Sequence, residues 1–297
     1  MKSRYARMIV IAAVVSLVLA GCSSKAKTDA QGSRTPVSGL TTVVKGTFTI
    51  GTDMPYAPFE SLDDKGNPVG FDVELFDEVA RRLGYRTVWN NAVFDTIFTA
   101  LATKWDIVVS AVTAYAPAGS SAATTVAGRA KKVYFGKAYY SSLQSLAVNA
   151  TKTPGIKTTD DLKSGDRVAV QNGTTGAFYA KEKLESKGVV LVGFDKAPDM
   201  FLALDTGQVK GIINDLPVSL DAVKDKSDLK VVQQIETGEQ YGFAYTKDDK
   251  GKALRDAVDA QLDVIFKDGT YARIFKKFFP DQELPPYASA GTTSPSP

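Results

Sequence analysis

The stretch GTDMPYAPFESLDDKGNPVGFDVELFDEVARRLG, residues 51–84, decides the fold. Just before it, Thr47-Phe48-Thr49-Ile50 reads as a strand running into a small polar loop that carries Asp53, Tyr56 and Phe59. Residues 63–68 (DDKGNP) form a turn, because Gly, Asn and Pro supply the backbone angles a reversal needs. Val73, Phe76, Val79, Ala80 and Leu83 then recur at helical spacing, and Gly84 closes the helix. Strand, loop, turn and helix in that order make an α/β unit whose loop lies at the C-terminal end of the strand. In open α/β sheets that edge is where ligands bind.

The chain has 297 residues, 44% hydrophobic and 23% charged, an ordinary globular composition long enough for two domains. Its formal charge is +3, but Lys2, Arg4 and Arg7 lie in an N-terminal segment without acidic residues. Taking those three from the 36 basic residues leaves 33 against 33 acidic ones. The apparent basicity belongs to targeting, and no retained basic excess points to nucleic acid. There is no histidine, and Cys22 is the single cysteine. Ser-His-Asp and Cys-His nucleophile systems, His-ligated zinc and an intramolecular disulfide are thereby excluded. Nothing in the sequence calls for a metal or a cofactor. An enzyme would have to work with carboxylates, Lys, Tyr or Ser/Lys alone.

Residues 1–7 are basic and residues 8–20 apolar, a stretch too short to span a membrane comfortably. Leu19-Ala20-Gly21-Cys22 resembles the bacterial lipobox, where the signal is cut before the cysteine and the thiol is lipidated. That resemblance implies a signal peptide over 1–21 and an acylated (palmitate-bearing) Cys22, tied to the membrane without a spanning helix. An uncleaved anchor or an ordinary secretory signal is the other reading. Residues 22–45, rich in Ser, Thr, Gly, Ala and Lys, read as a flexible tether, and the Pro/Ser/Thr/Gly-rich 284–297 as a disordered tail. The folded part is then about 46–283.

Within it, residues 86–89 read as a strand, 94–101 as a helix and 106–113 as a buried strand with a polar end. Residues 159–162 look like a helix start, 167–170 a strand, and 177–185 a helix after the loop Gln171-Asn172-Gly173-Thr174-Thr175-Gly176. Pro198 opens a helix reaching Leu204, residues 211–214 form a strand delivering Asp215, and 252–266 and 271–279 are helices. Strands alternating with helices argue for a mostly parallel sheet.

Eight motifs now stand in order: GTDMPYAPFE, VGFDVELFDEVARRLG, FDTIFTAL, a strand ending SAVT, RAKKVYFGKAYY, QNGTTGAFYA, INDLPV and DGTYARIFKKFF. Together they resemble the extracellular solute-binding proteins of ABC transporters that take amino acids, solute-binding family 3, over nearly all of residues 46–280. The resemblance implies an α/β, two-lobed type 2 periplasmic-binding-protein fold, each lobe a mostly parallel sheet flanked by helices, with two crossing strands as hinge. Lobe 1 would be 46–140 and 241–283, and lobe 2 would be 141–240. It also implies a monomer outside the cell that binds a free amino acid and hands it to a permease.

A free amino acid is a zwitterion, and unpaired charge taken out of water is costly. By resemblance Arg129 takes its carboxylate through the planar guanidinium fork, with Thr113, and with Gln171, Gly173 and Thr175 at the start of the following helix. Read without the family, Arg129 is one of the solvated run Arg129-Lys131-Lys132. The family places this Arg closer behind the residue matching Thr113; here Ala114 to Gly128 intervene as a small-residue, loop-like insertion. Asp215 takes the ammonium, with Ser110 and Ala111 nearby; its other reading is a turn Asp before Pro217. Tyr56 and Phe94 flank the ligand side chain, unless they are simply core, and Asp53 meets its end. A carboxylate there inclines the choice to a polar or basic side chain. Two other classes stay open: a dehydratase-like enzyme using carboxylates on the same scaffold, and a ligand-sensing domain.

Overall fold

The computed structural model describes residues 39–288, all within the compact unit Ser33–Pro297. The expected signal peptide, Cys22 and most of the tether lie outside the described residues, as do residues 289–297.

The chain opens with β1 (Thr47–Thr52), a small hairpin of β2 (Ser61–Leu62) and β3 (Pro68–Val69), and α1 (Phe71–Leu83). Helix α1 buries Val73, Leu75, Phe76, Val79, Ala80 and Leu83, the face its periodicity marks, and ends on Gly84, whose N–H bonds Arg81 O. Gly70, just before it, is irreplaceable by a residue with a side chain. Its φ is +137°, and a Cβ would sit 2.1 Å from Phe59 O. β4 (Arg86–Asn91), a 3-10 turn (Phe94–Ala100), β5 (Ile107–Val108), β6 (Thr113–Tyr115) and α2 (Ser121–Ala130) follow. The long β7 (Val133–Asn149) leads to β8 (Arg167–Gln171), α3 (Thr175–Leu184), β9 (Val190–Phe194), α4 (Ala197–Thr206), β10 (Gly211–Asp215) and α5 (Leu216–Val223). The equally long β11 (Leu229–Thr246), then α6 (Asp249–Lys267) and α7 (Thr270–Phe278), complete it.

The strand order is β4-β1-β5-β11-β7-β10-β8-β9. The outer three on each side are parallel among themselves, and β7 and β11 run antiparallel to each other between them. Residues 144–148 of β7 pair with β10, whereas Ala244 and Tyr245 of β11 pair with β5. The two long strands are thus the crossings between two lobes, and their register slips between Ile235 and Glu239, where they pass from one to the other. Lobe 1 packs an aromatic core in which Phe48 stacks on Tyr85 at 4.4 Å and Phe71 meets Phe275 edge-on at 5.9 Å. Lobe 2 closes on Leu146, Val148, Val168, Val170, Leu184 and Ile213.

Four local expectations change. The 94–101 helix is a 3-10 turn. The 106–113 strand is cut to Ile107–Val108, because Asp72 Oδ2 accepts the Ala111 N–H at 2.9 Å and holds Ala111 at φ 44°, out of the ladder. Residues 159–162 start no helix: Asp161 Oδ2 accepts the N–H groups of Lys157 and Thr158, each at 2.9 Å, and closes a turn. Residues 284–288 are not a loose tail; Tyr287 is buried with its ring 5.6 Å from that of Phe266.

Candidate functional site

The loop after β1 and the turn after β5 come together from lobe 1, and the starts of α3 and α5 from lobe 2. Between them Asp53, Tyr56, Phe94, Ser110, Ala111, Thr113, Arg129, Gln171, Thr174, Thr175 and Asp215 line one cavity. All the expected site residues are there except Gly173, which sits behind it. Gly173 has φ +75°, a Cβ on it would fall 2.6 Å from Asp95 Oδ1, and its carbonyl accepts from Arg129.

Arg129 reaches the cavity because the 114–128 insertion is not a loop. Most of it is α2, which buries Ser121 and Ala122 and lies in contact with α3. That contact sets the helix so that its last turn points inward. Arg129 Nη1 donates to Thr113 O and Nη2 to Gly173 O, both at 3.0 Å, and the guanidinium lies over Phe94 at 5.2 Å. Burial lowers it to about 10, against the pull of Glu239 and Asp215, so it stays charged at neutral pH. Two of its five N–H donors are used, which leaves three for a carboxylate.

Asp215 ends β10, deep between the lobes. Its Oδ1 accepts from Gln144 Nε2 at 2.5 Å, and its Oδ2 from Tyr241 OH at 2.5 Å and Tyr56 OH at 2.9 Å. Tyr56 therefore does more than flank a ligand: its hydroxyl crosses from lobe 1 to the lobe 2 carboxylate. Burial, and then the negative charge of Glu239, push Asp215 up to about 6, although the three donors oppose this.

Glu239 was not foreseen. It leaves β11 immediately after the register slip and is buried. Its Oε2 accepts from Thr113 Oγ1 at 2.6 Å and Thr175 Oγ1 at 2.7 Å, and its Oε1 from Gln144 Nε2 at 3.3 Å. The two threonine hydroxyls expected to meet a ligand carboxylate thus serve one from the chain itself. Ser110 is likewise engaged: its Oγ accepts from Asp53 N and donates to Glu60 Oε1, both at 2.9 Å. Glu60, through Ser110, and Asp72, through the Ala111 N–H at 2.9 Å, are two buried carboxyl groups that back the Ser110-Ala111 turn.

Lys196 was also unforeseen. It pairs with Asp53, and Gln171 Nε2 donates to the other Asp53 oxygen at 2.6 Å. Burial raises the Asp53 carboxyl above its usual value, and Lys196 opposes that. Thr174 also lines the cavity; it caps α3, accepting from Ala177 N at 3.1 Å.

Residues 48–281 match the bacterial extracellular solute-binding proteins, family 3, and the chain belongs to that family. A probable histidine-binding protein of Neisseria gonorrhoeae is 28% identical over 89% of this chain and 91% of its own. ABC transporter arginine-binding protein 1 of Escherichia coli K12 is 30% identical over 78% of this chain and 90% of its own. Among solved structures, the ancestral amino acid-binding protein AncCDT-1, a precursor of cyclohexadienyl dehydratase, is 32% identical. It superposes with a TM-score of 0.68, covering 79% of this chain and 96% of that one. The fold is the two-lobed type 2 periplasmic-binding-protein fold.

Proposed function

We propose that the protein binds a free amino acid outside the cell and delivers it to the permease of an ABC transporter, transforming nothing chemically. One observation carries this: a buried guanidinium, Arg129, and a buried carboxylate, Asp215, line the same small cavity from different lobes. A zwitterion needs one partner of each sign, held apart by the length of its own backbone. Names among the relatives, histidine and arginine, fit a side chain with hydrogen-bonding nitrogen at the end where Asp53 stands. The space among the lining groups is about 20 Å³, room for about one water, so an amino acid enters with the lobes apart and is enclosed as they hinge shut. Protein unfolded, stripped of ligand and refolded is expected to gain thermal stability from one or a few of the standard amino acids, and small-angle scattering should show it contract with them. Stabilisation by none would refute the reading, and turnover of an added amino acid or cyclohexadienyl acid would replace it with the enzyme class.

The lipobox-like Leu19-Ala20-Gly21-Cys22 supports an anchor at Cys22 on the outer face of the cell membrane. The intact protein is expected in the membrane fraction and Cys22→Ser in the soluble one. An equal distribution of the two would exclude the lipid.

A further inference from the structure

Lys196 stands between β9 and α4, and its side chain is 26% exposed. Besides the Asp53 carboxylate, its ammonium donates to Ala92 O at 2.9 Å, Asn91 Oδ1 at 3.1 Å and Met54 O at 3.2 Å. All four acceptors belong to lobe 1, at the last residue of β4 and on the loops that follow β1 and β4, while Lys196 belongs to lobe 2. Three protons meeting four acceptors leave the ammonium fully served. With Gln171 on its second oxygen, Asp53 is held on both sides from lobe 2, once by a full positive charge.

We propose that Lys196 sets the selectivity of the site by neutralising Asp53, so that the ligand is an amino acid with an uncharged, hydrogen-bonding side chain. This rests on the reading of the ligand as a free amino acid. A lysine or arginine ligand ending at Asp53 meets one of two conflicts. Either its cationic end sits beside the Lys196 charge, where like charges a few ångströms apart in a partly buried site repel. Or it displaces Lys196, stranding the Met54 and Ala92 carbonyls and Asn91 Oδ1 without their donor. An amide, hydroxyl or neutral imidazole meets neither conflict and can still bond the polar rim. Discrimination thus comes from a repulsive element built into the chain, not from added contacts to the favoured ligand.

Because the Lys196–Asp53 pair also ties the lobes together, removing it weakens every ligand, and the informative quantity is a ratio of affinities. Calorimetry on the refolded protein compares the best-bound of glutamine, asparagine, serine and histidine at pH 8 with the better of arginine and lysine. Wild type is expected to favour the uncharged ligand about tenfold or more, and Lys196→Met to move that ratio toward the cationic ligand by about tenfold. Lys196→Arg, which keeps the charge, is expected to hold the wild-type ratio within about threefold. A wild type preferring arginine, lysine or an apolar amino acid overturns the inference, as does a ratio unmoved in Lys196→Met. In those cases amino-acid binding itself stands; binding of no amino acid overturns both.

Discussion

Replacing Arg129 with alanine is expected to weaken amino-acid binding at least about a hundredfold while the fold survives. A carboxylate held by a guanidinium fork gains two charge-assisted hydrogen bonds, each contributing about 1.5–3 kcal/mol, and every 1.4 kcal/mol is about tenfold in affinity. Two features of this chain push the loss upward. The guanidinium is the cation set against Asp215 and Glu239, so its removal leaves two buried carboxylates without an opposing charge. It also joins Thr113 O of lobe 1 to Gly173 O of lobe 2, so its loss removes a cross-lobe tie. Arg129→Lys keeps the charge but not the fork, and an intermediate loss is expected. Calorimetry, with circular dichroism to confirm the fold, decides. Unchanged affinity in Arg129→Ala would return Arg129 to the status of a buried structural cation and leave the carboxylate partner unassigned.

Arg129 also shows where sequence reading stops. The family order of motifs implies that it takes a ligand carboxylate, but its path into the cavity is not written there. Residues 114–128 are rich in Ala, Thr, Ser and Gly and show no apolar period, so they read as a loop. Helix α2 forms there because packing on α3 supplies what the periodicity lacks. The opening stretch was legible for the opposite reason. Its strand, turn, helix face and closing Gly84 are each written in residues adjacent in the chain. Asp215 was legible because an apolar strand leads straight to it. Gln144 and Glu239 were not. Each is a polar residue in a crossing strand, and only the β7–β11 register, with Glu239 opposite Ser142, turns both toward Asp215. Lys196 reads as a solvated lysine before Ala197-Pro198. Its acceptors lie more than a hundred residues earlier, on Asn91 and Ala92, and meet it only where the lobes meet.

Affinity is expected to be level between about pH 7 and pH 8 and to fall on acidification through about pH 6, approaching tenfold per pH unit. The cause is Asp215. Burial and the charge of Glu239 place it at about 6 without ligand, whereas an ammonium against it demands the ionised form. Below about 6 the ligand must expel a proton to bind, so at pH 4 binding should be about a hundredfold weaker than at pH 7. Stability of the ligand-free protein should move the other way. Asp215, Asp72 and Asp259 all titrate at about 6 in the folded chain, above the ordinary 3.8. The folded state therefore takes up protons before the unfolded chain does, and stability rises as pH falls from about 6 toward 4. Further down, groups held below their ordinary value, such as Asp268 at about 2, lose their contribution as they protonate, and stability falls again. Melting of the free protein should thus shift upward between pH 7 and pH 5 while the extra shift given by ligand shrinks. Calorimetry at pH 6 in buffers of different ionisation enthalpy should register proton release on binding. Asp215→Asn should abolish that release and cost most of the affinity at pH 7. Release that persists in Asp215→Asn would move the titration to Asp72, whose carboxylate holds the Ala111 N–H at 2.9 Å behind the cavity.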